Sequence, residues 1–309
     1  MPLASVVLPT YNRTKHLGRA IESVLNQRFE DFELIVVDDG STENTEAVVE
    51  RFDDDRVNYL EHRVNQGGSA ARNTGIEASR GDYVAFLDDD DSWLPHKLGR
   101  QIERLEECSE EWVAAYCNFH LVRHGASSRI RESIAAVLPV EISALRPEGG
   151  AELIPMVLMR NFPLGGTSTL VVRRSTIDRL GGFDPTFQRH QDWEFLVRLL
   201  QLGKLTCVDE DLVVKHESSE PSGDTVRAAQ REFFAAFCSE IERAERNGYD
   251  VTGAHRFALA RYYYREGRFV SGTRNLFGAK IEPLALAQAL STGMYSYVAR
   301  GLDVRSSSR

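Results

Sequence analysis

The chain is short of cysteine, of lysine and of long apolar runs, and most of these shortages close off a class of protein. Four cysteines, Cys108, Cys117, Cys207 and Cys238, lie scattered with no C-x-x-C pair. That spacing supports neither a disulfide framework nor a zinc site and reads as the reduced thiols of a cytosolic protein. No apolar run reaches the ~18 residues of a membrane-spanning helix, so none is expected. The apolar start, Pro2 to Pro9, lacks a basic leader and a cleavage motif and reads as a strand, not a signal peptide. Positive charge is also scarce: 37 basic residues face 46 acidic ones, which argues against a general nucleic-acid binder. Only five of the 37 are lysines, a bias that carries no functional reading. There is no fixed-period repeat and no low-complexity segment.

Apolar residues make up 42% of the chain, enough for a sizeable core. A length of 309 residues suits one large domain with an appendage. We expect a main domain over 1–220 and a helical C-terminal region over 221–309. From Tyr249 onward nine basic residues accompany only four acidic ones, whereas the rest of the chain is acidic. That tail combines Arg256, Arg261, Arg265 and Arg268 with Phe257, Tyr262, Tyr263, Tyr264 and Phe269. Basic aromatic helices of this kind suit a peripheral contact with an anionic membrane at the inner face of the cell membrane. A helical subdomain packed on the main domain is the other reading.

Along the chain, short apolar runs alternate with helical spacing. Ser5–Pro9, Glu33–Val37 and Asp82–Leu87 read as buried strands, and Arg56–Leu60, Trp112–Val122 and Thr167–Arg173 as further ones. Leu17, Ile21, Val24 and Leu25 recur at helical spacing, and helices are expected over Glu43–Phe52 and Ser69–Ser79. Leu94, Leu98, Ile102 and Leu105 mark one face of a longer helix. Residues 123–150 read as a variable, loop-rich insertion. Arg179–Asp184 ends a short helix on glycine, and Asp192 opens a helix buried through Phe195, Leu196, Leu199 and Leu200. Lys204–His216 reads as two short strands around Glu210-Asp211. From Asp224 a helical stripe of Ala229, Phe233, Phe237, Ile241 and Ala244 runs to Gly248.

Continuous rather than alternating apolar runs predict an α/β fold with a mostly parallel sheet flanked by helices on both faces. Ligands of such sheets bind beyond the carboxyl ends of the strands. Three strands end in polar clusters, Thr10–Arg13, Asp38–Ser41 and Asp88–Asp91, which should gather at one rim. The last holds four adjacent carboxylates, whose mutual repulsion a hard divalent cation such as Mg²⁺ or Mn²⁺ would relieve. A solvated acidic turn is the alternative.

The motifs Pro9-Thr10-Tyr11-Asn12-Arg13, Val37-Asp38-Asp39-Gly40-Ser41, Asn65-Gln66-Gly67-Gly68 with Ala71-Arg72-Asn73-Thr74-Gly75-Ile76, and Phe86-Leu87-Asp88-Asp89-Asp90-Asp91 follow in a telling order and spacing. Extended by Gly181-Gly182-Phe183-Asp184 and Gln191-Asp192-Trp193-Glu194, the set resembles the family 2 glycosyltransferases of the GT-A fold over roughly residues 3–217. The resemblance implies inverting transfer of a sugar from a nucleotide donor, usually UDP-linked, with Mn²⁺ or Mg²⁺. The acceptor would be a hydroxyl of a glycan or a lipid-linked molecule. It assigns the nucleotide to Pro9, Thr10, Tyr11, Asn12, Arg13, Asp39, Gly67 and Arg72, with Asp39 accepting the imide N–H of uracil. Asp90 would bind the metal directly, Asp88 and Asp89 would face metal or ribose, and His216 would be a further metal ligand. Asp192 stands where the family carries the general base, usually in a Glu-Asp pair whose first position here is Gln191.

Ordinary structural roles compete with several of these. Asp39 could be a turn residue, Arg72 a surface arginine, Asp192 an N-cap, His216 a structural histidine and Gly165-Gly166-Thr167 a simple turn rather than an acceptor-side wall. A sugar nucleotidyltransferase and a non-catalytic nucleotide-sugar-binding protein are the rival functions. The former normally needs a Gly-rich basic loop after the first strand, which Pro9-Thr10-Tyr11-Asn12 is not.

Overall fold

The computed structural model describes residues 1–122, 146–216 and 221–277. Most of the expected insertion at 123–150 and the tail beyond 277 lie outside these. The described residues fall into two compact units, 1–122 with 146–154 and 163–216, and 155–162 with 221–277.

In the first unit the apolar runs become β1 (Ala4–Thr10), β2 (Phe32–Asp38), β3 (Val57–Glu61), β4 (Tyr83–Phe86), β5 (Ser92–Trp93), β6 (Trp112–Val122), β7 (Leu170–Arg173) and β8 (Lys204–His216). The helices are α1 (Thr14–Leu25), α2 (Glu46–Val49), α3 (Gly68–Ala78), α4 (Lys97–Glu106), α5 (Ile154–Leu158, which runs into the second unit), α6 (Arg174–Leu180) and α7 (Gln191–Leu202). The strands form one sheet in the order β3-β2-β1-β4-β7-β6-β8-β5. The ladders β1–β2, β2–β3, β1–β4 and β6–β8 are parallel, while β4–β7, β6–β7 and β5–β8 are antiparallel. The fold is therefore mixed α/β, parallel through β3-β2-β1-β4 and mixed beyond it.

Because side chains alternate along a strand, β1 feeds two cores. Val6 and Leu8 pack with Leu17, Ile21 and Val24 of α1 and Leu98, Ile102 and Leu105 of α4. Val7 faces α3, which comes so close that a Cβ on Gly75 would lie 2.3 Å from Val7 Cγ1. Gly75→Ala is therefore expected to destabilise by roughly 1–2 kcal/mol, overpacking outweighing the gain in helix propensity. Urea unfolding would measure it, and adding Val7→Ala should recover part of the loss.

The second unit contains α8 (Gly223–Ala236), α9 (Cys238–Arg246), α10 (Val251–Arg265) and α11 (Phe269–Leu276). The stripe expected as one helix is two, broken at Phe237. His255 is buried against Phe233, and its Nε2–H donates to the Leu158 carbonyl at 2.8 Å. Tyr263 and Tyr264 are buried as well, so much of the tail's aromatic content serves packing within this unit. Among the described residues no helix is long and apolar enough to cross a membrane.

Candidate active site

The parallel strands β1, β2 and β4 deliver their carboxyl ends to one rim. Pro9, Thr10, Tyr11, Arg13, Asp39, Gly67, Arg72, Asp88, Asp89 and Asp90 all line a single cavity of about 400 Å³ there. Asn12, Asp192 and His216 are not among its lining residues. Asn12 works behind it: at φ 52° its side chain accepts the Thr42 N–H at 2.8 Å, tying the end of β1 to the loop after β2.

The four acids differ in their partners. Arg72 donates to Asp88 at 2.5 Å, and Thr167 approaches the same oxygen at 3.3 Å. Burial pushes the Asp88 carboxyl up, but the Arg72 and Lys215 cations and the Thr167 hydroxyl outweigh it and hold it below its ordinary range. Asp89 accepts the Thr10 hydroxyl at 2.7 Å, and Arg13 reaches both Asp89, at 3.3 Å, and Asp90, at 2.5 Å. Burial raises the Asp89 carboxyl to about 6 despite those partners. Asp91 is 1% exposed and turns inward, bonded by the Ser168 hydroxyl at 2.6 Å and the Lys215 ammonium at 2.5 Å. Ser168 Oγ also accepts the Asp88 N–H at 3.1 Å, so one hydroxyl couples both ends of the acidic loop.

Asp39 accepts N–H bonds from Gln66 and Gly67 and a bond from His62. It thereby folds the loop after β3 back onto β2. Two glycines make the approach possible. Gly40, at φ 75°, would put a Cβ 2.6 Å from the Val64 carbonyl carbon, and Gly67 sits at φ 94° beside the Gln188 side chain.

Arg72 leaves α3 with its guanidinium over the Phe183 ring, 5.4 Å from the centroid. Asn73, the next residue, both donates to the Phe183 carbonyl and accepts its N–H at 2.8 Å, pinning the Gly-Gly-Phe-Asp motif to α3. Gln191 accepts from Arg72 at 2.8 Å and lines the cavity. The chain enters α7 through His190 in the left-handed region, which is the N-cap and makes no side-chain cap bond. Asp192 is therefore inside the first helical turn, one residue after a cavity-lining side chain, rather than at the cap.

Sequence reasoning passed over Lys215, Ser168, Gln188 and His62. On β8 the ammonium that reaches the acidic loop belongs to Lys215, the residue before His216. No local pattern marks such a pair.

Among the described residues no three of His, Cys, Asp and Glu surround one point. Asp88, Asp89 and Asp90 nonetheless offer only oxygen donors on one cavity wall. This donor set fits a hard divalent cation that takes one or two carboxylates and completes its shell from phosphate oxygens.

A mixed α/β sheet with an acid- and arginine-lined cavity at the ends of its parallel strands is the architecture of a GT-A nucleotide-sugar transferase. The family description glycosyl transferase family 2 matches residues 5–133. The chain is 30% identical over 235 residues to the amylovoran biosynthesis glycosyltransferase AmsB of Erwinia amylovora, spanning 72% of this chain and 74% of that protein. The protein belongs to glycosyl transferase family 2. Among its more similar curated relatives, it spans 74% of the length of AmsB and as little as 15% of another. Two solved structures share the fold. The mannosyltransferase PcManGT of Pyrobaculum calidifontis, in complex with GDP-Man and Mn²⁺, superposes with a TM-score of 0.62 at 16% identity over 98% of this chain and 87% of that one. S. aureus TarS 1-349, in complex with UDP-GlcNAc, gives 0.57 at 17% identity over 97% and 73%.

Proposed function

We propose that this glycosyltransferase moves a sugar, with inversion, from a UDP-linked donor to a hydroxyl of a glycan or lipid-linked acceptor. The observation that carries the reading is the single cavity in which the ends of β1, β2 and β4 bring Asp39, Arg72 and the acids Asp88–Asp90 together. Asp39 accepts the imino N–H of the base, with Thr10 and Tyr11 beside it. Arg13 and Arg72, now paired with carboxylates, are the cations nearest a diphosphate lying across the cavity. Asp90 with Asp88 would hold a divalent cation, which neutralises charge building on the departing diphosphate. Asp192 takes the proton of the attacking hydroxyl. A titratable group there suits inversion, which requires the acceptor to attack opposite the diphosphate.

A thermal-unfolding panel of nucleotide sugars, each with and without Mn²⁺, tests the donor and the cation together. A donor at a hundredfold excess over its Kd should stabilise by about 2.7 kcal/mol, and the shift should require Mn²⁺ and favour UDP-linked sugars. Absence of any shift with UDP-sugars in the presence of Mn²⁺ would remove the proposal.

A further inference from the structure

Asp39 lines the cavity yet is only 3% exposed, and most of its acceptor capacity is used. His62 Nδ1 lies 2.7 Å from Oδ1, the Gln66 N–H donates to the same oxygen at 2.9 Å, and the Gly67 N–H donates to Oδ2 at 2.7 Å. An ionised carboxylate has about four lone-pair sites, so one remains, on Oδ2. Uracil, thymine and guanine present a ring N–H to such an acceptor. Cytosine and adenine present a bare ring nitrogen there, which would face the carboxylate lone pair against lone pair. The orientation of that last acceptor site thus decides which bases fit.

The donors that fix it are not equivalent. Gln66 and Gly67 donate through backbone N–H groups, where the loop after β3 enters α3 at its N-cap Gly67. His62 is anchored twice more: its own N–H donates to the Asp38 carbonyl at 2.8 Å, and its Nε2 lies 2.9 Å from Thr74 Oγ1 on α3. Since an ionised carboxylate can only accept, Nδ1 carries the proton in the bond to Asp39. The imidazole therefore ties the carboxylate to a helix packed directly on β1.

We propose that His62 is a positioning residue that sets the rotation of the Asp39 carboxylate and so determines the preference for a base with a ring N–H. This rests on the reading of Asp39 as the base acceptor. The test is calorimetric titration of UDP and of CDP, with Mn²⁺ present, into the full chain and its His62→Ala, His62→Asn, His62→Gln and Asp39→Ala variants. Asn places an amide N–H where Nδ1 was, whereas Gln places one where Nε2 was. The UDP-to-CDP affinity ratio should fall about tenfold or more in His62→Ala and His62→Gln and recover in His62→Asn. The ratio is the readout because a merely loosened loop weakens both nucleotides alike. His62→Ala with the wild-type ratio, or Gln restoring it as well as Asn, overturns the proposal. Asp39→Ala separates the two readings. If it too keeps the wild-type ratio, the base reading has failed; if it loses the ratio while His62→Ala keeps it, only the role of His62 falls.

Discussion

Replacing Asp192 by Asn is expected to cut turnover by about 10²- to 10⁴-fold, the range for loss of a positioned general base, while UDP affinity is unchanged. Asn keeps the shape of the side chain and removes its basicity, so packing around the first turn of α7 survives. The competing role is helical: an acid in a first turn is worth about 0.3–1 kcal/mol through the helix dipole. That role predicts a small loss of stability and little change in kcat. The outcomes separate cleanly when turnover, UDP binding and urea unfolding are measured on the same variant. Because Gln191 lines the cavity and bonds Arg72, the turn carrying Asp192 is tied to the donor side by a neighbouring residue. Turnover within a few-fold of wild type would remove Asp192 as the base and leave it a dipole partner.

How much of this could be read from residues alone follows from the range of each interaction. β1, β2 and β4 were legible because strands covered on both faces need unbroken apolar runs, and their polar ends then had to share a rim. The helix expected over Glu43–Phe52 shrinks to Glu46–Val49. Asp53, Asp54 and Asp55 sit where a helix C-terminus disfavours negative charge, and Asp54 instead closes a turn onto Arg56. The two strands expected around Glu210-Asp211 are one strand, β8, whose pairing with β6 jumps from Cys117↔Val208 to Asn118↔Asp211, so that the irregularity takes up Asp209 and Glu210 while Asp211 stays in the ladder. The cation partners of the acids were not legible at all. Arg13 meets Asp90 across 77 positions and Lys215 meets Asp91 across 124, and an ion pair leaves no periodicity at either end. The same holds for His62, whose position between Asp39 and Thr74 exists only once α3 has packed on β1.

Replacing Lys97 by Met is expected to stabilise the protein at pH 6.5, by about 2–3 kcal/mol. Lys97 is fully buried on α4, its ammonium 3.8 Å from the Trp93 ring centroid and 3.4 Å from the Leu170 carbonyl. Burial lowers its pKa from 10.5 to about 7. Between those values the unfolded chain holds a proton that the folded chain has released, so stability rises with pH across this window. Below about pH 7 both states are charged and the burial penalty is felt in full. At ~1.4 kcal/mol per unit the penalty approaches ~5 kcal/mol, and the lost cation–π contact returns about 2 of it. The stabilisation by Met should therefore fade as pH approaches 10, while the wild-type stability climbs. Urea unfolding of both proteins at pH 6.5 and 9.5 measures this; a less stable Met variant at pH 6.5 would mean that Trp93 and the Leu170 carbonyl make the ammonium net favourable. The location gives the cost a functional setting. Trp93 Nε1 donates to the Ser168 carbonyl at 2.9 Å, and the Ser168 hydroxyl holds both ends of the acidic loop. The charge under Trp93 thus sits directly behind the residues that position Asp88, and a Met variant that gains stability but loses donor affinity would show that the strain there serves the site.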